Sequence, residues 1–368
     1  MAEPSSTGRP RWRAPRPRSE GGARAVASKL GAYQSGGLLV ALVLLSVFFG
    51  TQSAQFWRSS NLKVILLQVS IVGIVAIPGA MLVLSGYVDL SVGSVAVLAV
   101  AVFGDVVKVD HQSVAVGIIA ALAAGTGWGL MNGFLISYLE FSPIVVTLGG
   151  YAGARGAAEA ITHDVTQYGF GSSFGVLGNG TVAGLPVPGV IFIVAFLLGA
   201  YVWYVIPTGR HLTAVGADKA AARSLGVPVR RLPFALYILS GFASAAGGLI
   251  LTSQLDGASL SIGIGLELQV LTAILLGGVA FSGGRGSLWG VLFVVFFVGV
   301  LNDGLILMNV GPYYANLAVG IVLVLAAGSD AFYRRLERVP VQIDETRPKR
   351  GAAAAPPPTS ARMDDAAV

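Results

Sequence analysis

The chain has 368 residues, of which 54% are hydrophobic and only 11% charged, with a mean hydropathy of +0.76. A soluble domain carries about 25% charged residues, so this reads as an integral membrane protein. Cysteine is absent, which excludes disulfides, thiolate metal sites and a cysteine nucleophile. The net charge of +6 sits in the tails and one loop rather than on a stripe with interleaved aromatics, which argues for membrane orientation and against nucleic acid.

Residues 1–31 hold seven Lys or Arg and no apolar periodicity, and read as a disordered basic cytoplasmic tail. The apolar run 36–50 reads as an uncleaved first span, because more spans follow at once. Further apolar blocks lie at 62–84, 92–107, 113–136, 144–162, 188–206, 232–253, 264–281, 287–303 and 312–328. Most approach the roughly 17–25 residues a spanning helix needs. The fold expected is therefore all-α and polytopic, with about ten transmembrane helices in a domain covering 32–330.

Basic residues concentrate in the first tail, in the 207–231 loop, at Arg285 and in the tail 331–368, whose Ala/Pro-rich sequence reads as disordered. Only Arg58, Lys63 and Lys108 fall on the other side, so both tails are expected in the cytoplasm. The outer loop 163–187 has no Lys or Arg and reads as a docking surface or a plain connector. Its Asn179-Gly180-Thr181 matches a glycosylation acceptor pattern.

The stretch Pro207–Arg231 reads as the long polar interruption that carries a helix. Asp218 is placed to cap it, KAAARSL supplies helix formers, and Gly226 with Pro228 ends it, giving a helix of about two turns, roughly 12 Å.

Several polar residues enter apolar blocks. Asp89, in LSGYVDLSVGSV below Pro78-Gly79, reads either as an acidic group beside a solute path or as the cap of the next helix. Arg155 and Glu159 are four apart on one helix face and are expected to pair. Ser91, Asn132, Glu267, Asn302 and Asp303 are interhelical hydrogen-bonding groups or, with Asp89 and Arg155, contributors to a substrate path. Gly125, Gly129 and Gly133, and likewise Gly149, Gly153 and Ala157, offer smooth faces for close helix packing. LLGGVAFSGGRGSLWG and MLVLSGYVDLSVG share an S-G turn, a faint trace of an internal repeat.

No GxxxxGK[ST] phosphate loop, HExxH or other metal-ligand spacing occurs, and no Ser/His/Asp set stands out. No enzyme activity, metal site or cofactor of the chain's own is expected.

Six blocks in order between about residues 60 and 330 carry a resemblance: GYVDLSVGSVAVLAV, TLGGYAGARGAAEAIT, AVGADKAAARSLGVPVRR, YILSGFASAAGGLI, ELQVLTAILLGGVAFSGGRGSLWG and GVLNDGLILMNVGPYYANLAVGIVLVLA. Together they resemble the permease subunit of ribose/xylose-type ABC sugar importers. The resemblance implies a dimer around a central path, loaded by an extracytoplasmic sugar-binding protein and driven by a cytoplasmic ATPase that holds ATP and Mg. It implies that Gly216, Asp218, Ala221, Ala222 and Gly226 form the loop that couples to the ATPase. Two departures stand out: Asp218 where the family commonly has Asn, and Tyr87-Val88 where it has a small pair before Asp-Leu-Ser.

The reading is a homodimeric monosaccharide permease of the bacterial inner membrane working by alternating access. Alternatives are the same architecture carrying nucleosides or branched-chain amino acids, a proton-driven carrier using Asp89 or Glu267, and a scaffold that transports nothing.

Overall fold

Long apolar runs become helices here because in lipid every backbone N–H and C=O must be satisfied within the segment. The computed structural model describes residues 21–311 and, beyond them, 314, 317, 320 and 321, with side chains from residue 36. Residues 1–20, most of the expected span 312–328 and the tail 331–368 lie outside the described residues.

The helices are α1 (Gly21–Gln52), α2 (Ser59–Leu84), α3 (Val92–Lys108), α4 (Val114–Ser137), α5 (Pro143–Thr162), α6 (Ser172–Asn179) and α7 (Val187–Ala200). A π-helical turn at Tyr201–Val205 extends α7, and α8 (Pro207–Ala217), α9 (Lys219–Ser224), α10 (Arg231–Leu255), α11 (Leu266–Leu276) and α12 (Leu288–Leu307) follow. Short strands join the loops: β1 (Gln167–Tyr168) pairs antiparallel with β4 (Gly257–Ala258), and β2 (Thr181–Val182) with β3 (Leu185–Pro186).

Among the described residues, five helical runs are long and apolar enough to cross a membrane: Ser59–Leu84, Val114–Ser137, Val187–Val205, Arg231–Leu255 and Leu288–Leu307. The shorter or more polar blocks fall outside that set for local reasons. α5 carries Arg155 and Glu159, and α11 is only 11 residues long. Gly278 ends α11 early: with φ +85 it donates to Leu275 O, while Val279 N reaches back to Ile274 O. The 264–281 block is thus a half-length helix followed by a turn, and not one continuous span. At the other end, α1 begins at Gly21, inside the stretch expected to be an unstructured tail.

In lipid, burial of apolar surface does little to drive helix against helix, so close contact and interhelical hydrogen bonds must hold the bundle. α2 packs against α7, α10, α11 and α12, which buries most of its length. α4 and α10 approach through the expected glycine face. A Cβ on Gly129 would lie 2.3 Å from Tyr237 O, and one on Gly241 would lie 2.2 Å from Gly125 O. The second small-residue face is used only in part, since Gly153 abuts Trp128 while Gly149 meets nothing within 4 Å.

The outer loop is a built element. It carries α6, so the 207–231 segment is not alone among the polar interruptions in carrying a helix. Gly178 N donates to Ser253 Oγ at 2.7 Å, and Ser253 Oγ donates to Phe174 O at 2.6 Å. Phe103, Phe170 and Phe174 form an aromatic cluster beneath it, with the Phe103 and Phe174 centroids 4.5 Å apart. The side-chain nitrogen of Asn179 donates to Ser253 O at 3.1 Å, so the nitrogen of the glycosylation triplet is engaged by the end of α10.

Candidate functional site

Three places bring polar chemistry together: the arginine-rich loop at one end of the bundle, the hydrogen bonds around Asp89 before α3, and a cavity toward the other end. The loop is more structured than expected. α8 precedes the capped helix, started by Pro207 in its first turn, where a missing N–H costs nothing. The capped helix, α9, has six residues rather than two full turns, roughly 9 Å at 1.5 Å per residue. Asp218 Oδ1 accepts from Ala220 N at 2.8 Å and Ala221 N at 3.0 Å. Gly226 N donates to Arg223 O and Val227 N to Ala222 O, both at 3.0 Å, which closes the helix through a left-handed glycine with φ +80.

Within this loop the five residues expected to couple divide by direction. Asp218, Ala221 and Gly226 are exposed, whereas Ala222 is 2% exposed and packs into the chain's own core. Gly216 also turns inward. A Cβ there would lie 2.0 Å from Leu84 O and 2.4 Å from Gly284 N, two atoms that are themselves joined by a 2.7 Å hydrogen bond. The α8–α9 corner therefore rests on the end of α2 and on the turn between α11 and α12. The two S-G turns read as a repeat meet at this point, since Gly86 and Gly283 both approach Gly216.

Sequence reasoning gave no role to Leu225. It follows α9, is 81% exposed, and lies beside exposed Arg223. Side contacts hold the loop in place. Lys219 Nζ lies 5.8 Å from the centroid of the Tyr87 ring, so the departure at Tyr87 serves this end of the molecule. Glu140, between α4 and α5, accepts from Arg230 at 3.1 Å and lies 3.8 Å from Arg223. The Arg230 hydrogen bond, followed by the charge of Lys219, holds the Glu140 carboxyl below the usual carboxylate range. A lowered acid pKa means the pairing is complete at neutral pH and is lost only as pH falls through that value. The group is exposed, so solvent and salt screen it and its contribution is small.

Asp89 does not cap α3, whose first-turn boundary is Ser91. Its Oδ1 accepts from Ser91 N at 3.0 Å and Ser91 Oγ at 2.6 Å, and its Oδ2 accepts from Ser240 Oγ on α10 at 2.7 Å. Asn132 Nδ2 on α4 donates to Ser91 Oγ at 3.0 Å, and Tyr237 Oη donates to Val88 O at 2.8 Å. The structure thus gathers Asp89, Ser91 and Asn132 into one lock that ties the start of α3 to α4 and α10. Asp89→Leu leaves the Ser91 and Ser240 hydroxyls without their acceptor, at about 1–3 kcal/mol for each. Thermal unfolding in detergent should fall accordingly, and Asp89→Asn should recover part of the loss. An unchanged unfolding temperature for Asp89→Leu would contradict the lock.

Arg155 Nε lies 3.4 Å from Glu159 Oε1, the expected i, i+4 pair. Glu267, in the first turn of α11, fits beside α3 because residue 93 is glycine: a Cβ there would collide with Glu267 Oε2. Neither lines the cavity.

That cavity, of about 280 Å³, lies between α2, α10, α11 and α12. Of the residues expected on a solute path, Asn302 lines it and Asp89, Ser91, Asn132, Arg155 and Glu267 do not. Gln68, Gln254 and Gln269 line it as well and were not singled out from the sequence. Glutamine is uncharged, so in an apolar block it reads as an ordinary interruption, and α2 lies far in the chain from the consecutive helices α10, α11 and α12 that it meets here.

The family described as "Branched-chain amino acid transport system / permease component" matches residues 61–327. The chain is 33% identical over 303 residues to the ribose import permease protein of Bacillus subtilis (strain 168), covering 82% of this chain and 92% of that one. It is 32% identical over 315 residues to the fructose import permease protein of Rhizobium meliloti, covering 81% and 85%. The L-arabinose ABC transporter permease protein of Azospirillum brasilense is 32% identical over 310 residues, covering 84% and 91%. No solved structure matches the chain significantly.

Proposed function

The chain belongs to the branched-chain amino acid transport system permease family, in its sugar ABC importer branch, and from that premise we propose that it carries a monosaccharide of the ribose/xylose kind into the cytoplasm by alternating access. It is a multi-pass protein of the bacterial inner membrane. In this reading about ten helices cross the bilayer, both tails are cytoplasmic, and two copies pair around the path. A separate cytoplasmic subunit binds ATP and Mg and hydrolyses ATP, and an extracytoplasmic sugar-binding protein delivers the solute to the face that carries α6.

The observation that carries the reading is the 207–231 loop. A six-residue helix, less than two full turns, does not persist alone in water. Here it is capped at both ends, joined to a corner seated on the end of α2 and on the α11–α12 turn, and presents an exposed leucine among arginines. Such a rigid, partly apolar projection from a membrane protein suits a surface that receives force from a soluble partner.

The family's description names branched-chain amino acids, which makes them the second reading. Uptake of labelled pentoses, hexoses, nucleosides and leucine by cells containing the whole transporter, with and without this chain, separates the two. Chain-dependent uptake of a monosaccharide is the expected result, and leucine uptake without sugar uptake would overturn it.

A further inference from the structure

The four amide side chains around the cavity have no place in the fold itself. Among the described residues, none of Gln68, Gln254, Gln269 and Asn302 has a side-chain hydrogen-bond partner, and the Gln254 amide nitrogen is buried without one. In a membrane-spanning bundle an unpaired polar group costs about 1–3 kcal/mol or more, so such groups persist where water or a solute satisfies them. We propose that this cavity is a binding site for a neutral polyhydroxylated solute, held by the amides of Gln68, Gln254, Gln269 and Asn302.

The chemistry fits that class of ligand. A side-chain amide offers both donors and an acceptor, and a hydroxyl needs both. No charged residue lines the cavity, so nothing there would balance a phosphate, or the ammonium and carboxylate of an amino acid. Ile71, Val72, Leu251 and Val298 supply apolar wall against which the C–H face of a sugar ring can rest. The volume of about 280 Å³ is at the small end of ligand pockets, which run from about 300 to 1,000 Å³.

The location fits a transport site. Gln68 lies in the first half of α2 and Leu84 ends that helix against Gly216; Gln254 closes α10, whose first residue is Arg231. Gln269 lies near the start of α11 and Asn302 near the end of α12, and the turn between those two helices is the one that touches Gly216. The cavity walls therefore include the helices that the arginine-rich loop grips at their opposite ends. α2 also contains Pro78, which removes one helical hydrogen bond between the two sites and gives the helix a place to bend.

This inference rests on the reading of the chain as a sugar permease, and the test separates the two. The natural chain has no cysteine, so a single introduced thiol is the sole maleimide target on this chain, which is read as its own band. In membranes containing the whole transporter, Gln269→Cys should react with a small maleimide and be protected by the sugar found to be carried. Val165→Cys, in the outer loop, should react without protection. Gln68→Leu and Asn302→Leu should each lower uptake of that sugar about tenfold, the size of one lost hydrogen bond. They should lower uptake of the deoxy-sugar lacking the partnered hydroxyl much less. Sugar uptake by the unaltered chain with no protection at residue 269, or with equal losses for sugar and every deoxy analogue, overturns the site while leaving the function standing. Leucine uptake without sugar uptake overturns the function and the site together.

Discussion

Leu225→Asp should abolish uptake while the protein still reaches the membrane in normal amount. Among the described residues Leu225 is the most exposed of the large hydrophobic residues, on a loop rich in arginine and outside the helices long and apolar enough to cross the membrane. A leucine in that setting gains nothing from the fold, and its own exposure means that replacing it leaves the packing of the chain untouched. If it fills an apolar pocket on the ATPase, its loss should cost what an interface anchor costs, about 2 kcal/mol or more, roughly 30-fold in affinity. Burying a carboxylate in that pocket costs more again. Leu225→Met should behave nearly as the natural chain does. Ala222→Trp would be a poorer probe, because Ala222 faces the core and a bulky ring there would damage the fold before it reached any partner. Normal ATPase co-purification and uptake by Leu225→Asp would remove the docking role.

Gly216→Ala should uncouple the transporter with the docking face intact. The added methyl would sit 2.0 Å from Leu84 O and 2.4 Å from Gly284 N, both backbone atoms that cannot swing aside. The α8–α9 corner must then lift away from α2 or break the hydrogen bond between those two atoms. Overpacking of this kind costs about 1–3 kcal/mol, and the broken bond about 1 kcal/mol more. The ATPase should still co-purify, since Leu225 and its neighbours are unchanged, but sugar-loaded binding protein should no longer stimulate hydrolysis. An alanine variant with normal stimulation would show that this contact does not transmit the stroke.

The spans were legible wherever hydropathy alone decides. Blocks 62–84 and 232–253 fall within α2 and α10, and 113–136 matches α4 to one residue at each end, because a long apolar run has one stable form in lipid. The cap at Asp218 and the stop at Gly226 were legible because both are local, set by a side-chain oxygen and a positive φ within a few residues. The length of α11 was missed, although Gly277-Gly278 marks its end, because the apolar composition continues past it. What composition cannot carry is direction. A six-residue helix does not reveal which of Ala221 and Ala222 faces inward, and that depends on the end of α2 and the α11–α12 turn under Gly216. The Asp89 lock joins residues 151 apart, and the amides of the cavity come from four helices. Both exist only once α2, α3, α4 and α10 to α12 have been brought together.

The departure at Tyr87-Val88 also gains a physical account. Tyr87 lies under Lys219 and the Val88 carbonyl receives the Tyr237 hydroxyl, at the loop end of the bundle and away from the cavity. Substitution there bears on how the loop is seated and not on the lining of the cavity.

The central claim is that ATP hydrolysed by a partner drives a sugar through this chain. The measurement that tests it most directly is uptake of a labelled monosaccharide by cells with and without the chain, first with the proton gradient collapsed and ATP maintained, then with ATP depleted. The account predicts chain-dependent uptake that survives loss of the gradient and stops with loss of ATP. Uptake that stops with the gradient while ATP is maintained would contradict it, and would identify a proton-driven carrier with Asp89 and Glu267 as the groups to replace next.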